Sequence, residues 1–276
     1  MNFHGFQIFP SILIGCLYLL GAYWLATGPA RRRFGWTDEV RPGLARASAW
    51  VAGVLVIFFS LNGPLHEWAD GYLFTAHMVQ HLLLMLIMPP LLIWGLPPAL
   101  IRKALRFRPV FKAGRLLTHP VVAFVAYNLV FIFWHFPQWY NLALMDHTIH
   151  IVQHLSFMVV AVMMWWPIMA PVKELVRIPT GPFLMAWIFL YGIPGTVVSA
   201  LITLSNDVLY TWYAAAPRIT ALSPLDDQRL GGLIMWIPGM LVFWVAITAV
   251  FFRWTSYEYR SWKVDPEALP TGEIGP

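Results

Sequence analysis

The stretch AHMVQHLLLMLIMPPLLIW at residues 76–94 decides the fold class of this chain. It is apolar apart from Gln80 and two histidines, His77 and His81, which stand four residues apart. A helix needs a run of about 20 apolar residues to cross the hydrocarbon core of a bilayer. Because imidazole is costly to place in hydrocarbon, histidines inside such a run indicate a functional site.

The composition of the whole chain is that of a membrane protein. Of its 276 residues, 59% are hydrophobic and 11% are charged, whereas soluble domains carry about 25% charged residues. The single cysteine, Cys16, lies in an apolar run. One cysteine excludes a disulfide within the chain and a metal site built from two or more thiolates.

We predict an all-α integral membrane protein, a bundle of seven transmembrane helices. The predicted spans are residues 6–26, 47–65, 72–95, 120–137, 148–170, 182–205 and 231–252. Residues 1–6 carry no Lys or Arg, so we expect the first run to be a span rather than a cleaved signal peptide. All spans belong to one predicted domain, residues 1–255, which is followed by a short cytoplasmic tail, residues 256–276.

Basic residues divide unevenly between the two sides of the predicted bundle. One side carries Arg31, Arg32, Arg33, Arg41, Arg46, Arg102, Lys103, Arg106, Arg108, Lys112, Arg115, Lys173, Arg177, Arg253, Arg260 and Lys263. The other side carries only Arg218 and Arg229. The positive-inside rule therefore predicts an N-terminus outside and a C-terminus in the cytoplasm. Topology and anionic lipid explain the net charge of +5, and no aromatic-basic module indicates nucleic-acid binding.

This topology places every histidine except His119 toward the outer side. His77 and His81 lie in the outer half of the third span, and His150 and His154 in the outer half of the fifth. Residues four apart share one face of a helix, and both spans run inward, so the two pairs are predicted at matched depth. The remaining outward histidines are His4, His66, His135 and His147.

Two imidazoles four residues apart on a helix can bind one metal ion. The zinc-protease helix also needs a Glu between them, and this chain has none there. Met85 and Met158 continue the two histidine stripes. Imidazole together with thioether suits copper(I), although zinc and iron also accept imidazole. Core packing is the alternative role for both methionines. We predict copper as the metal. The predicted ligands are His77, His81, His150 and His154, with His135 as a further candidate.

Three acidic residues lie near the outer ends of predicted spans. Asp146 precedes His147, and Asp226 and Asp227 stand at the start of the last span. Acidic side chains are favoured at helix N-termini, so capping is expected, and orienting a ligating imidazole is the alternative. No other carboxylate is expected inside the membrane.

Three other functions are compatible with the histidines. A haem held between the third and fifth spans would make the protein an electron-transfer protein, although the chain has no CxxCH motif for covalent attachment. A two-metal site would make it a membrane enzyme, which would need an open coordination position and a carboxylate near the metals. A structural chaperone would hold an oxidase subunit without any metal.

Five short motifs occur in a fixed order along the chain. They are HMVQHLLLM at 77–85, WHFP at 134–137, HIVQHLSF at 150–157, WWP at 165–167 and DDQRLGGLIMW at 226–236. Together they resemble the multi-span CtaG family of bacterial cytochrome c oxidase assembly factors, over residues 60–255. A single-span copper chaperone shares the family's name, and this chain does not resemble it.

The resemblance implies a non-enzymatic role in maturing a haem-copper oxidase, including the supply of copper to it. It implies a multi-pass protein of the bacterial cytoplasmic (inner) membrane, surrounded by the lipid bilayer. The implied partners are oxidase subunits or copper chaperones. By motif, the resemblance carries over to His77, His81, His135, His150 and His154.

Overall fold

The computed structural model describes residues 6–36, 40–169, 171–175 and 181–264. Within these ranges the chain is helical and contains no strand. The α-helices are α1 (Pro10–Thr27), α2 (Leu44–Ser60), α3 (Gly63–Gly71), α4 (Phe74–Leu82), α5 (Met88–Gly95), α6 (Pro98–Leu105), α7 (Arg108–Leu117), α8 (Pro120–His135), α9 (Pro137–Met145), α10 (His147–Met169), α11 (Pro182–Thr203), α12 (Thr211–Ala215) and α13 (Pro224–Val264). Short 3-10 turns at Pro29–Phe34 and Lys173–Leu175, and a π-helical segment at Leu83–Ile87, complete the described elements.

Five helical segments are each long and apolar enough to cross a membrane. They are Pro10–Thr27, Phe74–Gly95, His147–Met169, Pro182–Thr203 and Pro224–Tyr257. Two bent pairs, α2 with α3 at 45° and α7 with α8 at 64°, have the same character when each pair is taken together. The protein is therefore a multi-pass membrane protein with five to seven candidate spans.

The segments that carry the paired histidines lie at the centre of the bundle. In Phe74–Gly95 and His147–Met169 more than half of the residues are buried inside the protein. In contrast, α1, α11 and α13 expose large apolar side chains, as Tyr18, Leu201 and Val245 illustrate. Such side chains suit contact with lipid tails, so the outer helices shield the central pair.

A proline shapes the segment that follows His81. Pro89 has no N–H, so the carbonyl of Met85 cannot receive the usual helical hydrogen bond from it. The indole Nε1 of Trp165 donates to that carbonyl instead, at 3.0 Å. A buried carbonyl is thereby satisfied, and α10 is joined to the π-helical turn between α4 and α5.

Two boundaries of the predicted spans differ from the helices in the structure. The last predicted span, 231–252, lies inside the longer α13, which begins at Pro224 and runs to Val264. The helix therefore continues across the boundary drawn between residues 255 and 256. The 96–118 segment, expected as a loop, contains the short helices α6 and α7.

Close packing brings α13 against the start of α4. At Gly231 an added Cβ would lie 2.3 Å from the ring of Phe74, so only glycine fits there. The ring of Phe74 is itself buried and stacks on Tyr210, with 4.7 Å between the ring centroids. The glycine thus lets α13 pack against Phe74, the first residue of α4, three residues before His77 and seven before His81.

Candidate metal centre

Five predicted histidines come together in the interior of the bundle. His77 and His81 lie on α4, His135 ends α8, and His150 and His154 lie on α10. Each of the five residues is at most 6% exposed. In the structure α10 packs against α5 and the π-helical turn, which continue α4, so the third and fifth predicted spans are adjacent in the bundle.

The paired histidines lie at matched depth in their helices. His81 is the eighth residue of α4 and His154 is the eighth residue of α10, which corresponds to about 10 Å along each axis. The ring centroids of His81 and His154 are 5.3 Å apart, and those of His77 and His154 are 5.8 Å apart. The two pairs form one cluster.

Within each pair the two Nε2 atoms point at each other. The Nε2 atoms of His77 and His81 are 2.8 Å apart, and those of His150 and His154 are 2.7 Å apart. Imidazole nitrogens bind zinc at about 2.0–2.1 Å, so two ligands of one ion are separated by only slightly more than these distances. A small outward shift of the rings would fit an ion between each pair.

Hydrogen bonds on the other ring nitrogen set the tautomer of His77. The hydroxyl of Tyr213 donates to the carbonyl of Ala69 and therefore accepts from Nδ1 of His77, at 2.8 Å. The proton of the neutral ring is then on Nδ1, and the lone pair of Nε2 faces the cluster. Metal-ligating histidines characteristically donate their second nitrogen in this way.

His135 shows the same arrangement with a backbone partner. Its Nδ1 donates to the carbonyl of Phe131 at 2.6 Å. Its Nε2 is buried and has no hydrogen-bond partner. His135 lines a small cavity of about 50 Å³ that His81 and Met85 also line. A buried acceptor with no donor is costly, and a metal ion or a protonated group in the cavity would satisfy it.

A carboxylate that the sequence analysis did not expect lies beside His150. The Oδ2 atom of Asp70, on α3, is 3.4 Å from Nδ1 of His150 and 3.4 Å from Nε2 of His66. Asp70 was not among the carboxylates singled out from the sequence near the histidines. In the sequence, the spacing of four residues between His66 and Asp70 was the available indication that Asp70 lies near the histidines. The bend between α2 and α3, which turns both side chains inward, is not visible in the sequence.

His66 belongs to the rim of the cluster. The amide Nε2 of Gln80 donates to the carbonyl of Ser60 at 2.6 Å and lies 3.0 Å from Nδ1 of His66. Because Gln80 supplies the hydrogen to Nδ1, the ring proton of neutral His66 is on Nε2, toward Asp70. His66 therefore positions the carboxylate rather than offering its own lone pair.

Of the three acidic residues singled out from the sequence, Asp227 and Asp146 cap helices with their carboxylates, whereas Asp226 does not. Asp227 accepts from the backbone N–H groups of Phe74 and Thr75, at 2.8 and 3.1 Å, and so caps α4, the helix of His77. Asp226 bonds to the hydroxyl of Ser223 at the start of α13. Asp146 accepts from the first turn of α10. Asp227 thus holds a ligand-bearing helix without touching an imidazole.

Other residues of the predicted stripes lie away from the cluster. His147 is exposed, and His119 is half-buried ahead of α8. Met158 lines a separate, larger groove near Met88 and Trp166. His4 lies outside the described residues. Of the two methionines in the predicted stripes, Met85 lines the same cavity as His81 and His135.

Two overlapping sets of side chains have the geometry of metal sites. The ligand atoms of His77, His81 and His154 all lie within 4.8 Å of one another. The same holds for Asp70, His150 and His154. The cluster can therefore chelate a transition-metal ion through neutral imidazoles, with a carboxylate at one side.

Comparisons with known proteins place the chain in a family. Two proteins described as uncharacterized, from Mycobacterium bovis and Mycobacterium tuberculosis, are each 27% identical over 274 residues, and one from Mycobacterium leprae is 22% identical over 275. These alignments cover 90–91% of this chain but only 39–40% of the relatives, so the chain spans about two fifths of their length. No solved structure matches. Residues 21–256 match the model of the cytochrome c oxidase caa3 assembly factor family, Caa3_CtaG, and the chain, as its motifs suggested, belongs to that family.

Proposed function

We propose that this assembly factor binds copper in its histidine cluster and supports metal-centre maturation of a haem-copper oxidase. The observation that carries the proposal is the orientation of the imidazoles. His77 and His135 each donate Nδ1 to a protein acceptor and turn Nε2 inward. The pairs on α4 and α10 bring their Nε2 atoms within 2.8 Å. An assembly role in the same family supplies the biological context.

The donor set fits copper. Neutral imidazole is a ligand for copper, zinc and iron, and thioether sulfur favours copper(I). Met85 lines the small cavity that also touches His81 and His135. When bound, copper would be held by imidazoles of α4 and α10. The rest of the protein would orient these rings and exclude water from them.

The distribution of charge supports an outward-facing site. Sixteen of the eighteen Lys and Arg residues fall on one side of a seven-span topology, which the positive-inside rule assigns to the cytoplasm. The histidine cluster would then lie in the outer half of the cytoplasmic membrane of a bacterium. Oxidase subunits or copper chaperones would exchange metal with it from that side.

The packing of the cluster argues against a haem. Pockets for cofactors and drug-sized ligands measure about 300–1,000 Å³. The cavity beside His81 and His135 measures about 50 Å³, room for an ion or a water molecule. The ring centroids of His77 and His81 are only 4.3 Å apart, so these two imidazole rings contact each other directly.

The double variant His81→Ala/His154→Ala tests the proposal. We expect the purified wild-type protein to retain copper after desalting, and the double variant to lose it. In cells, the double variant should lower the activity of the dependent oxidase. His147→Ala is the matched control, because His147 lies on α10 but is exposed. Full copper occupancy in the double variant would refute a site built on these residues.

A further inference from the structure

The cluster contains more inward-facing atoms that could bind a metal than one metal ion uses. A structural zinc ion or a comparable transition metal takes four ligands. The paired histidines alone supply four imidazoles, and His135 Nε2 and Asp70 Oδ1 are two further buried atoms without a hydrogen-bond partner. Buried polar atoms that are left unpaired destabilise a protein. One ion therefore does not account for the arrangement.

The donors divide into two sets of different character. His77, His81 and His154 form a fully buried set of three imidazoles. Asp70, His150 and His154 form a second set that contains a carboxylate. The side chain of Asp70 is 31% exposed, so the second set lies at the rim of the cluster. His154 is the one residue common to both sets, and the remaining members are two separate ligand pairs, His77 with His81 and Asp70 with His150.

The unpartnered oxygen of Asp70 points to a cation at the rim. One of its oxygens, Oδ1, is buried and unpartnered, and the other makes only the two 3.4 Å contacts with His66 and His150. In the part of the chain that the structure describes, no Lys or Arg forms an ion pair with it. An oxygen atom buried in this way is stabilised by a hydrogen-bond donor, a paired charge or a metal ion.

We propose that the cluster binds two metal ions, a soft ion in the imidazole set and a divalent ion in the Asp70 set. This inference rests on the proposed metal-binding function and deepens it. Soft ligands favour copper(I), whereas a carboxylate with imidazoles suits a borderline divalent ion such as zinc or copper(II). The partly exposed rim site is the one in contact with the outside solution.

Sequential loading of the full chain in detergent tests the proposal. The protein is saturated with copper(I) under reductant, desalted, incubated with zinc and desalted again, and both metals are counted per chain. The wild type is expected to hold one copper and one zinc. Asp70→Asn is expected to keep copper and lose zinc, whereas His81→Ala should lose copper and keep zinc. Asp146→Asn is the matched control, because its carboxylate is exposed and only caps α10.

The outcomes separate this inference from the function on which it rests. Copper retained by Asp70→Asn shows that the variant is folded around an intact imidazole set. A wild-type protein that holds a single ion in total overturns the two-ion proposal and leaves the copper proposal standing, as does an Asp70→Asn protein that keeps its zinc. A folded wild-type protein that holds neither metal overturns both.

Discussion

At the scale of single residues, the hydroxyl of Tyr213 connects the cluster to the backbone. It lies between Nδ1 of His77 and the carbonyl of Ala69, and so decides which nitrogen of His77 faces inward. Tyr213 comes from the five-residue α12, 136 residues after His77. The spacing of the histidines predicts that they cluster, but no periodic pattern in the sequence predicts a partner contributed by so short and distant a helix.

Tyr213→Phe should weaken metal binding without removing a ligand. Losing the partner that orients a ligating imidazole typically lowers metal affinity about 10- to 100-fold. A competition titration against a chromophoric copper(I) chelator measures the change. Tyr23→Phe is the matched control, since Tyr23 also donates to a buried backbone carbonyl, that of Gly95, but lies in a separate packing cluster with Trp50. Equal affinity of Tyr213→Phe and wild type would contradict the role given to this hydroxyl.

At the scale of helices, the site depends on how α4, its π-helical turn and α10 are joined. The sequence predicts both helices from their apolar length, and it places His81 and His154 at equal depth. It does not show that Pro89 frees the carbonyl of Met85 or that Trp165 occupies it. That bond joins residues 80 positions apart, so only the packed structure reveals it.

Trp165→Phe should destabilise the join between α10 and the turn after α4. The variant removes the indole N–H and leaves the buried Met85 carbonyl without its donor, a loss of about 1–3 kcal/mol. Trp166→Phe is the comparison, because the indole N–H of Trp166, also on α10, is buried without a partner and its removal breaks no hydrogen bond. Thermal unfolding in one detergent measures both. An equal drop in melting temperature for the two variants would contradict the role given to the hydrogen bond between Trp165 and the Met85 carbonyl.

At the scale of the whole molecule, topology decides which compartment the histidines face. Hydropathy predicts the apolar runs and their order, and the basic loops predict their direction. The bends at 45° and 64° are tertiary features that hydropathy does not contain. The helices α6 and α7 are amphipathic, so a search for long apolar runs does not find them. The number of crossings therefore depends on whether each bent pair acts as one span.

Single cysteines introduced into a Cys16→Ser background test the direction of the bundle. Thr220→Cys lies on the loop before α13, and Lys112→Cys lies on α7; both positions are exposed. With the N-terminus outside, a membrane-impermeant maleimide should label residue 220 in intact cells and residue 112 only after the membrane is opened. The reverse labelling pattern would place the histidine cluster on the cytoplasmic side.

The central claim is that imidazoles of α4 and α10 hold the metal, and X-ray absorption at the copper edge tests it most directly. For the copper-loaded full chain we predict a nitrogen shell at about 2.0–2.1 Å, as in other metal–imidazole sites, with the outer-shell scattering that imidazole rings produce. The same signal should be absent from the His81→Ala/His154→Ala variant. A shell without imidazole scattering in the wild type, or an unchanged spectrum in the double variant, would contradict the account.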